Sequence, residues 1–144
     1  MRRIIATLIF TTLLIAGCSD SNRPSDLPTL YPFVVTITQE GNPLSGASVM
    51  LIPMEGTQAK YQASANTDSS GKATLVTYGF DGVPAGKYKV CVRRVVSDEN
   101  TGAEFQTVER EYSDPERTPH EIEITNKKMP PASFDVGKAI KERK

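Results

Sequence analysis

Tyr88, Val90 and Val92 alternate with Lys87, Lys89, Cys91 and Arg93, and this two-residue period constrains the fold more than any other feature of the chain. Successive side chains of an extended strand point to opposite faces, so such alternation buries one face and leaves the other polar. The period recurs along the sequence. Phe33, Val35 and Ile37 alternate with Val34, Thr36 and Thr38, and Ala47, Val49 and Leu51 with Ser48, Met50 and Ile52. Ala73 and Leu75 alternate with Lys72, Thr74 and Val76, and His120, Ile122 and Ile124 with Glu121, Glu123 and Thr125. Residues 62–67 read as a weaker strand, and Phe134 with Val136 as a short last one. Turn-forming groups separate the runs: Gly41-Asn42-Pro43, Asp68-Ser69-Ser70-Gly71 and Val83-Pro84-Ala85-Gly86. No stretch of ten or more residues carries a helical stripe, and residues 137–144 are charged and too short to be helical alone. Six or seven short strands with turns between them predict a β-sandwich or barrel. Residues 97–111 are polar and open with Asp98-Glu99-Asn100-Thr101-Gly102, which predicts a long loop or a protruding hairpin.

A chain of 144 residues has room for one domain and a tail. Its 17 basic and 17 acidic side chains cancel, so it lacks the basic footprint that nucleic-acid binding needs. One His and two Cys offer little material for a zinc site or for a nucleophile–histidine pair. No cofactor and no metal site are expected.

The first residues have a different character. Met1-Arg2-Arg3 is a basic start, and residues 4–16 then run without a charge. Thirteen residues of helix reach about 20 Å, short of the roughly 30 Å hydrocarbon core. The run therefore fits the hydrophobic region of a secretory signal better than a membrane span. It ends in Ile15-Ala16-Gly17-Cys18, which resembles the lipobox of bacterial lipoproteins: an aliphatic residue, two small ones, then Cys. That resemblance implies a lipoprotein signal peptide over residues 1–17, cleavage before Cys18 and acylation of the Cys18 thiol. The mature chain would lose Arg2 and Arg3, leaving 15 basic and 17 acidic side chains and a net charge of −2. Two or three acyl chains anchor stably without help from protein charge, since each buried CH₂ contributes about 0.8 kcal/mol. Ser19 follows the Cys, where Asp would favour inner-membrane retention; Ser is permissive for the outer membrane of a cell that has one. Residues 19–30 are polar, contain two Pro and read as a tether of up to about 40 Å.

Three motifs within the β-patterned region fall in order. Gly41-Asn42-Pro43-Leu44-Ser45-Gly46-Ala47-Ser48-Val49 resembles the G-x-P-L-x-G-A-x-V signature of carboxypeptidase regulatory-like domains. Thr67-Asp68-Ser69-Ser70-Gly71 resembles their T-D-x-x-G turn, and Val83-Pro84-Ala85-Gly86-Lys87-Tyr88-Lys89-Val90 their P-x-G-x-Y-x-V strand. Tyr112-Ser113-Asp114-Pro115-Glu116, Ile122 and Phe134-Asp135-Val136 are similar to the closing half of small lipoproteins that carry such a domain. The resemblance implies a seven-stranded transthyretin-like (prealbumin-like) β-sandwich over residues 31–137, followed by a charged C-terminal tail over residues 138–144. It implies no activity. A transthyretin-like relative that hydrolyses hydroxyisourate ends in Tyr-Arg-Gly-Ser and uses several His; this chain ends Lys141-Glu142-Arg143-Lys144 and has one.

The motif residues have direct physical roles. Gly41 and Gly46 suit backbone geometry that a side chain would oppose, Gly71 supplies positive φ, Leu44 drops from its turn into the core, and Asp68 accepts hydrogen bonds across its own turn. Asn66, Asp68 and Ser70 superficially match a calcium loop, but Thr77 stands where a bidentate Glu is required. His120, at the start of its strand, reads as structural. Tyr31, Tyr61, Tyr78, Phe80, Phe105 and Tyr112 are candidates for a sugar-stacking platform, with residues 78–82 presenting two rings at one end of the domain. Lys87, Lys89, Arg93 and Arg94 read as a charged strand face that discourages edge pairing. Cys91 has no thiol partner once Cys18 is acylated. It is expected to be reduced, to serve packing, and to lie partly covered by residues 97–111, with a covalent dimer as the minority outcome. The sequence thus predicts a non-catalytic, membrane-anchored envelope lipoprotein that docks another envelope protein. A glycan-binding module is the alternative, and an envelope hydrolase the disfavoured one.

Overall fold

The computed structural model describes residues 23–56 and 60–144. Residues 1–22, with Cys18 and the expected signal peptide, lie outside the described residues. Strand follows strand from β1 (Leu30–Tyr31) through β2 (Val34–Gln39), β3 (Asn42–Pro43), β4 (Ser48–Pro53) and β5 (Ala63–Asn66). Next come β6 (Lys72–Thr74), β7 (Val76–Thr77), β8 (Phe80–Asp81), β9 (Val83–Pro84) and β10 (Gly86–Arg93). The hairpin β11 (Val95–Ser97) and β12 (Glu104–Gln106) precedes a four-residue helix, α1 (Arg110–Ser113). The chain closes with β13 (Glu121–Ile124), β14 (Ala132–Asp135) and β15 (Glu142–Arg143).

The chain is all-β. One sheet runs β13-β10-β4-β5-β7-β8, and a second runs β14-β2-β3, with β6 also paired to β2. Smaller sheets pair β1 with β9 and align β11-β12-β15. Phe33, Val35 and Ile37 from the β2 sheet join Val49, Leu51, Tyr88, Val90 and Val92 from the β10 sheet in one core cluster. Two sheets sharing one core is an arrangement compatible with a β-sandwich. The period-two readings hold with one exception, the buried Cys91: Val35, Ile37, Val49, Leu51, Tyr88, Val90 and Val92 are fully buried, while Thr36, Met50 and Lys89 are only partly so. Tyr88, the largest buried side chain, donates its hydroxyl to the Pro84 carbonyl at 2.9 Å. Desolvation pushes its pKa up to about 12.

The turns follow their sequence chemistry, with one shift. Asp68 accepts from the Ser70 and Lys72 amides and from the Ser70 hydroxyl, closing the turn before β6. Gly71 adopts φ +74°, and a Cβ there would sit 2.5 Å from the Ile37 carbonyl oxygen. Leu44 is buried. Beneath the same loop, the Thr67 hydroxyl donates to the Leu44 carbonyl at 2.6 Å and accepts from the Ala47 amide at 2.8 Å. The first hairpin turns at Glu40-Gly41, not at 41–43; both residues have positive φ, as a two-residue type I′ loop requires.

Three boundaries differ from the sequence reading. Leu27 is buried and Leu30 pairs with Pro84, so the folded unit begins before Tyr31. Residues 138–144 are not a free tail: the Ile140 amide donates to Thr107, and β15 pairs with β12. Val83-Pro84 belongs to a short strand pair with β1 as well as leading into β10. Residues 97–111 do form a hairpin, closed by Asp98 accepting from the Asn100 and Thr101 amides.

Candidate functional site

The β7–β8 hairpin turns at Tyr78-Gly79, with Thr77 opposite Phe80. Tyr78 has φ +52° and Gly79 φ +84°. This is again a two-residue loop with positive φ at both positions, a geometry that favours Asn or Gly and opposes a bulky side chain. The ring that occupies the strained position is 66% exposed, the one large hydrophobic side chain so exposed among the described residues. Strain kept at an exposed aromatic marks a candidate contact residue. Tyr61 meets Tyr78 edge-on at 6.3 Å between centroids. Pro53, Gln62, Ser64 and Val76 join the two tyrosines around an open groove of about 510 Å³.

Tyr61 is fixed by its hydroxyl, which donates to Asp26 at 2.6 Å. That bond lowers the Asp26 pKa and raises that of Tyr61. Arg23 lies over the Phe80 ring, 5.3 Å from its centroid. The segment entering the fold is therefore docked along this end of the domain. Chemically, the groove offers two aromatic faces beside amide and hydroxyl groups, the ingredients for stacking a sugar ring and bonding its hydroxyls.

The other aromatic candidates lie elsewhere. Tyr112 stacks on His120 at 5.4 Å, and Phe134 lies 5.1 Å from the same imidazole. His120 Nε2 is 2.8 Å from the Asp135 carbonyl. The lone histidine is thus held between two rings and tied to backbone, in keeping with a structural role. Phe105 lies beneath Lys141, and Tyr31 packs against the core. The six rings do not form one platform; Tyr61 and Tyr78 do meet.

The cationic strand face also divides. Lys89 pairs with Glu121, and Arg94 donates to the Ser45 carbonyl and the Thr107 hydroxyl. Arg93 is exposed. Cys91 is 1% exposed, covered more fully than its alternation suggested, and residues 110–117 contribute to the cover. Burial and then the Asp114 charge raise its thiol pKa, outweighing Lys89. Asp68 serves its turn, with no further acidic ligand gathered around it. Among the described residues no group of three or more His, Cys, Asp or Glu is placed to hold a metal ion, and no helix is long and apolar enough to cross a membrane. The groove residues Gln62 and Ser64 lie in a polar stretch with no motif that marks them in the sequence.

In comparisons with known proteins, no family model, no curated protein and no solved structure matches this chain.

Proposed function

We propose that this chain is a bacterial envelope lipoprotein, anchored through an acylated Cys18, whose non-catalytic β-domain docks another envelope protein through its loops or a strand edge. The observation that carries the reading is the uncharged run of residues 4–16 ending in Ile15-Ala16-Gly17-Cys18. Ser19 is permissive for the outer membrane where the cell has one. Burial of Leu27 supports a short connection: nine residues from Cys18 extend at most about 30 Å, which holds the domain near the headgroups. A transthyretin-like, carboxypeptidase regulatory-like sandwich is the fold we propose within the all-β class. In support, seven of the ten strands in the two large sheets have three or more residues, β2, β6 and β14 in one and β4, β5, β10 and β13 in the other, while β3, β7 and β8 have two each.

Intact-mass analysis of protein taken from membranes tests the anchor. A chain beginning at an acylated Cys18 is expected, and Cys18→Ser should leave the precursor uncut. An unmodified Cys18, or a different first residue, overturns the proposal. Crosslinking in intact cells followed by mass spectrometry tests docking; a chain that crosslinks to no other envelope protein argues against it.

The strained, exposed Tyr78 favours a second reading, in which the Tyr61–Tyr78 groove binds a glycan. Tyr78→Asn relieves the left-handed strain, so it should keep or raise stability while abolishing retention on envelope polysaccharide. Retention unchanged by that substitution, or absent from the parent chain, removes this reading.

A further inference from the structure

A second cleft, of about 510 Å³, opens on the outer face of the β10 sheet and shares no lining residue with the Tyr61–Tyr78 groove. Met50 of β4 and Cys91 of β10 contribute to its floor. One side is formed by α1 and the turn that follows it, the other by β15. Arg93, Arg110, Arg117, Arg143 and Lys144 line it, against the two carboxylates of Asp114 and Glu142. Five of the fifteen Lys and Arg among the described residues thus converge on one concavity of a chain whose total charge is zero.

The pairing within the cleft leaves cationic capacity unused. Arg110 donates to both oxygens of Glu142, at 2.7 and 3.2 Å, which ties α1 to β15. Arg117 reaches Asp114 only at 3.8 Å. Among the described residues, Arg93 and Arg143 have no carboxylate within 4 Å. Glu104, which feels the charge of Arg93, is bound by Lys144 Nζ at 2.8 Å. A guanidinium is a planar fork of donors that fits carboxylate and phosphate oxygens in pairs. A concave site also focuses the field of its charges and raises the local concentration of anions. The Met50 thioether and the aliphatic stems of the arginines add apolar surface below the charged groups. A volume near 500 Å³ falls within the range of small-molecule sites.

We propose that this cleft binds a small organic anion, with its oxyanion groups on Arg93 and Arg143 and its apolar body against Met50. The site is separate from the glycan groove and does not depend on how the chain is anchored. Its ligand chemistry is shared by organic phosphates and polycarboxylates, and the probes distinguish the two. Calorimetric titration of the full chain in detergent uses phenyl phosphate, citrate and, as an ion without an apolar body, inorganic phosphate. At least one organic anion is expected to saturate one site with affinity at least tenfold above that of inorganic phosphate. The Arg93→Gln/Arg143→Gln double variant should weaken that binding by about tenfold or more, as loss of charge-assisted bonds implies, with the melting temperature of the free protein unchanged. Asp114→Asn should strengthen it by removing an opposing charge, and this variant leaves the Arg110–Glu142 tie intact. Affinity that falls as salt is raised completes the expected pattern. Equal binding of inorganic phosphate means an adventitious ion only and overturns the proposal. So does the absence of saturable binding by either organic anion, or binding that the double arginine variant leaves unchanged.

Discussion

Gly71→Ala, set beside Gly46→Ala, separates two costs that a glycine conceals. Both residues hold positive φ, +74° at Gly71 and +68° at Gly46. An L-residue in the left-handed region costs roughly 1–2 kcal/mol, and nothing lies within 4 Å of the Cβ that Gly46→Ala adds. Gly46→Ala should therefore cost about 1 kcal/mol. At Gly71 the new Cβ meets the Ile37 carbonyl oxygen at 2.5 Å and the Leu44 amide nitrogen at 3.1 Å. Both are backbone atoms, so no side chain can swing aside. Ile37 O accepts from the Leu44 amide at 2.9 Å, and the Gly71 carbonyl accepts from the Ile37 amide at 2.8 Å. Separating the two segments weakens both bonds, each contributing about 1 kcal/mol. The total for Gly71→Ala is then about 3–4 kcal/mol. Urea denaturation of the two variants and the parent, followed by circular dichroism, measures the difference from midpoints at constant slope. Equal losses would show that the close approach of the Asp68–Gly71 turn to β2 is not a constraint on the fold, and would refute the reasoning.

Val90→Asp places an unpaired carboxylate in the core and should destabilise by more than about 4 kcal/mol. Lys89→Asp, on the opposite face, loses the ion pair to Glu121 and sets a like charge across from it, yet should still cost far less; similar melting shifts would invert β10. Asp68, Asp98 and Asp135 have pKa values lowered from 3.8, chiefly by hydrogen bonds to the folded backbone and neighbouring hydroxyls. The unfolded chain takes up their protons first as pH falls, so their contribution is full above about pH 5 and is lost as pH falls below 4 through the lowered values. A melting curve against pH should show this acid limb, shallower in Asp135→Asn; an unchanged limb would mean that Asp135 does not contribute to it. Cys91, buried with a raised pKa, should react with iodoacetamide at pH 8 far more slowly in the folded chain than in urea. Equal rates would contradict its burial.

What the sequence made legible follows from the period. Phe33 to Ile37, Ala47 to Leu51 and Tyr88 to Val92 each bury one face, so burial alone writes the strand into the sequence. The same rule hides a change of sheet. Ala73, Leu75 and Thr77 are all buried, yet β6 pairs with β2 while β7 pairs with β5. Both sheets face one core, so the alternation passes Leu75 without a break. Leu30–Tyr31 and Glu142–Arg143 are two-residue strands, too short for any period, and their pairing is set by distant segments. The extent of the cover over Cys91 is hidden for a related reason: which segments pack on the outer face of a strand is not encoded in that strand. The two candidate sites differ likewise. The Tyr78 loop is local and visible, whereas the arginine cleft gathers residues 93, 110, 117, 143 and 144, which share no motif.

The parallel pairing of β2 with β14 sets how the domain carries a mechanical load. Val35 aligns with Ala132 and Thr38 with Asp135, so the chain enters β2 at one end of the pair and leaves β14 at the other. A pull between the N-terminal segment and the C-terminus loads this ladder lengthwise, in shear. Its hydrogen bonds then share the force and fail together, whereas antiparallel neighbours pulled from one end open one bond at a time. Where the N terminus is held at a surface and a partner grips the far end, the domain acts as a stiff coupling. Single-molecule stretching from the two termini should show one high-force event, and a low, gradual opening would rule out shear loading.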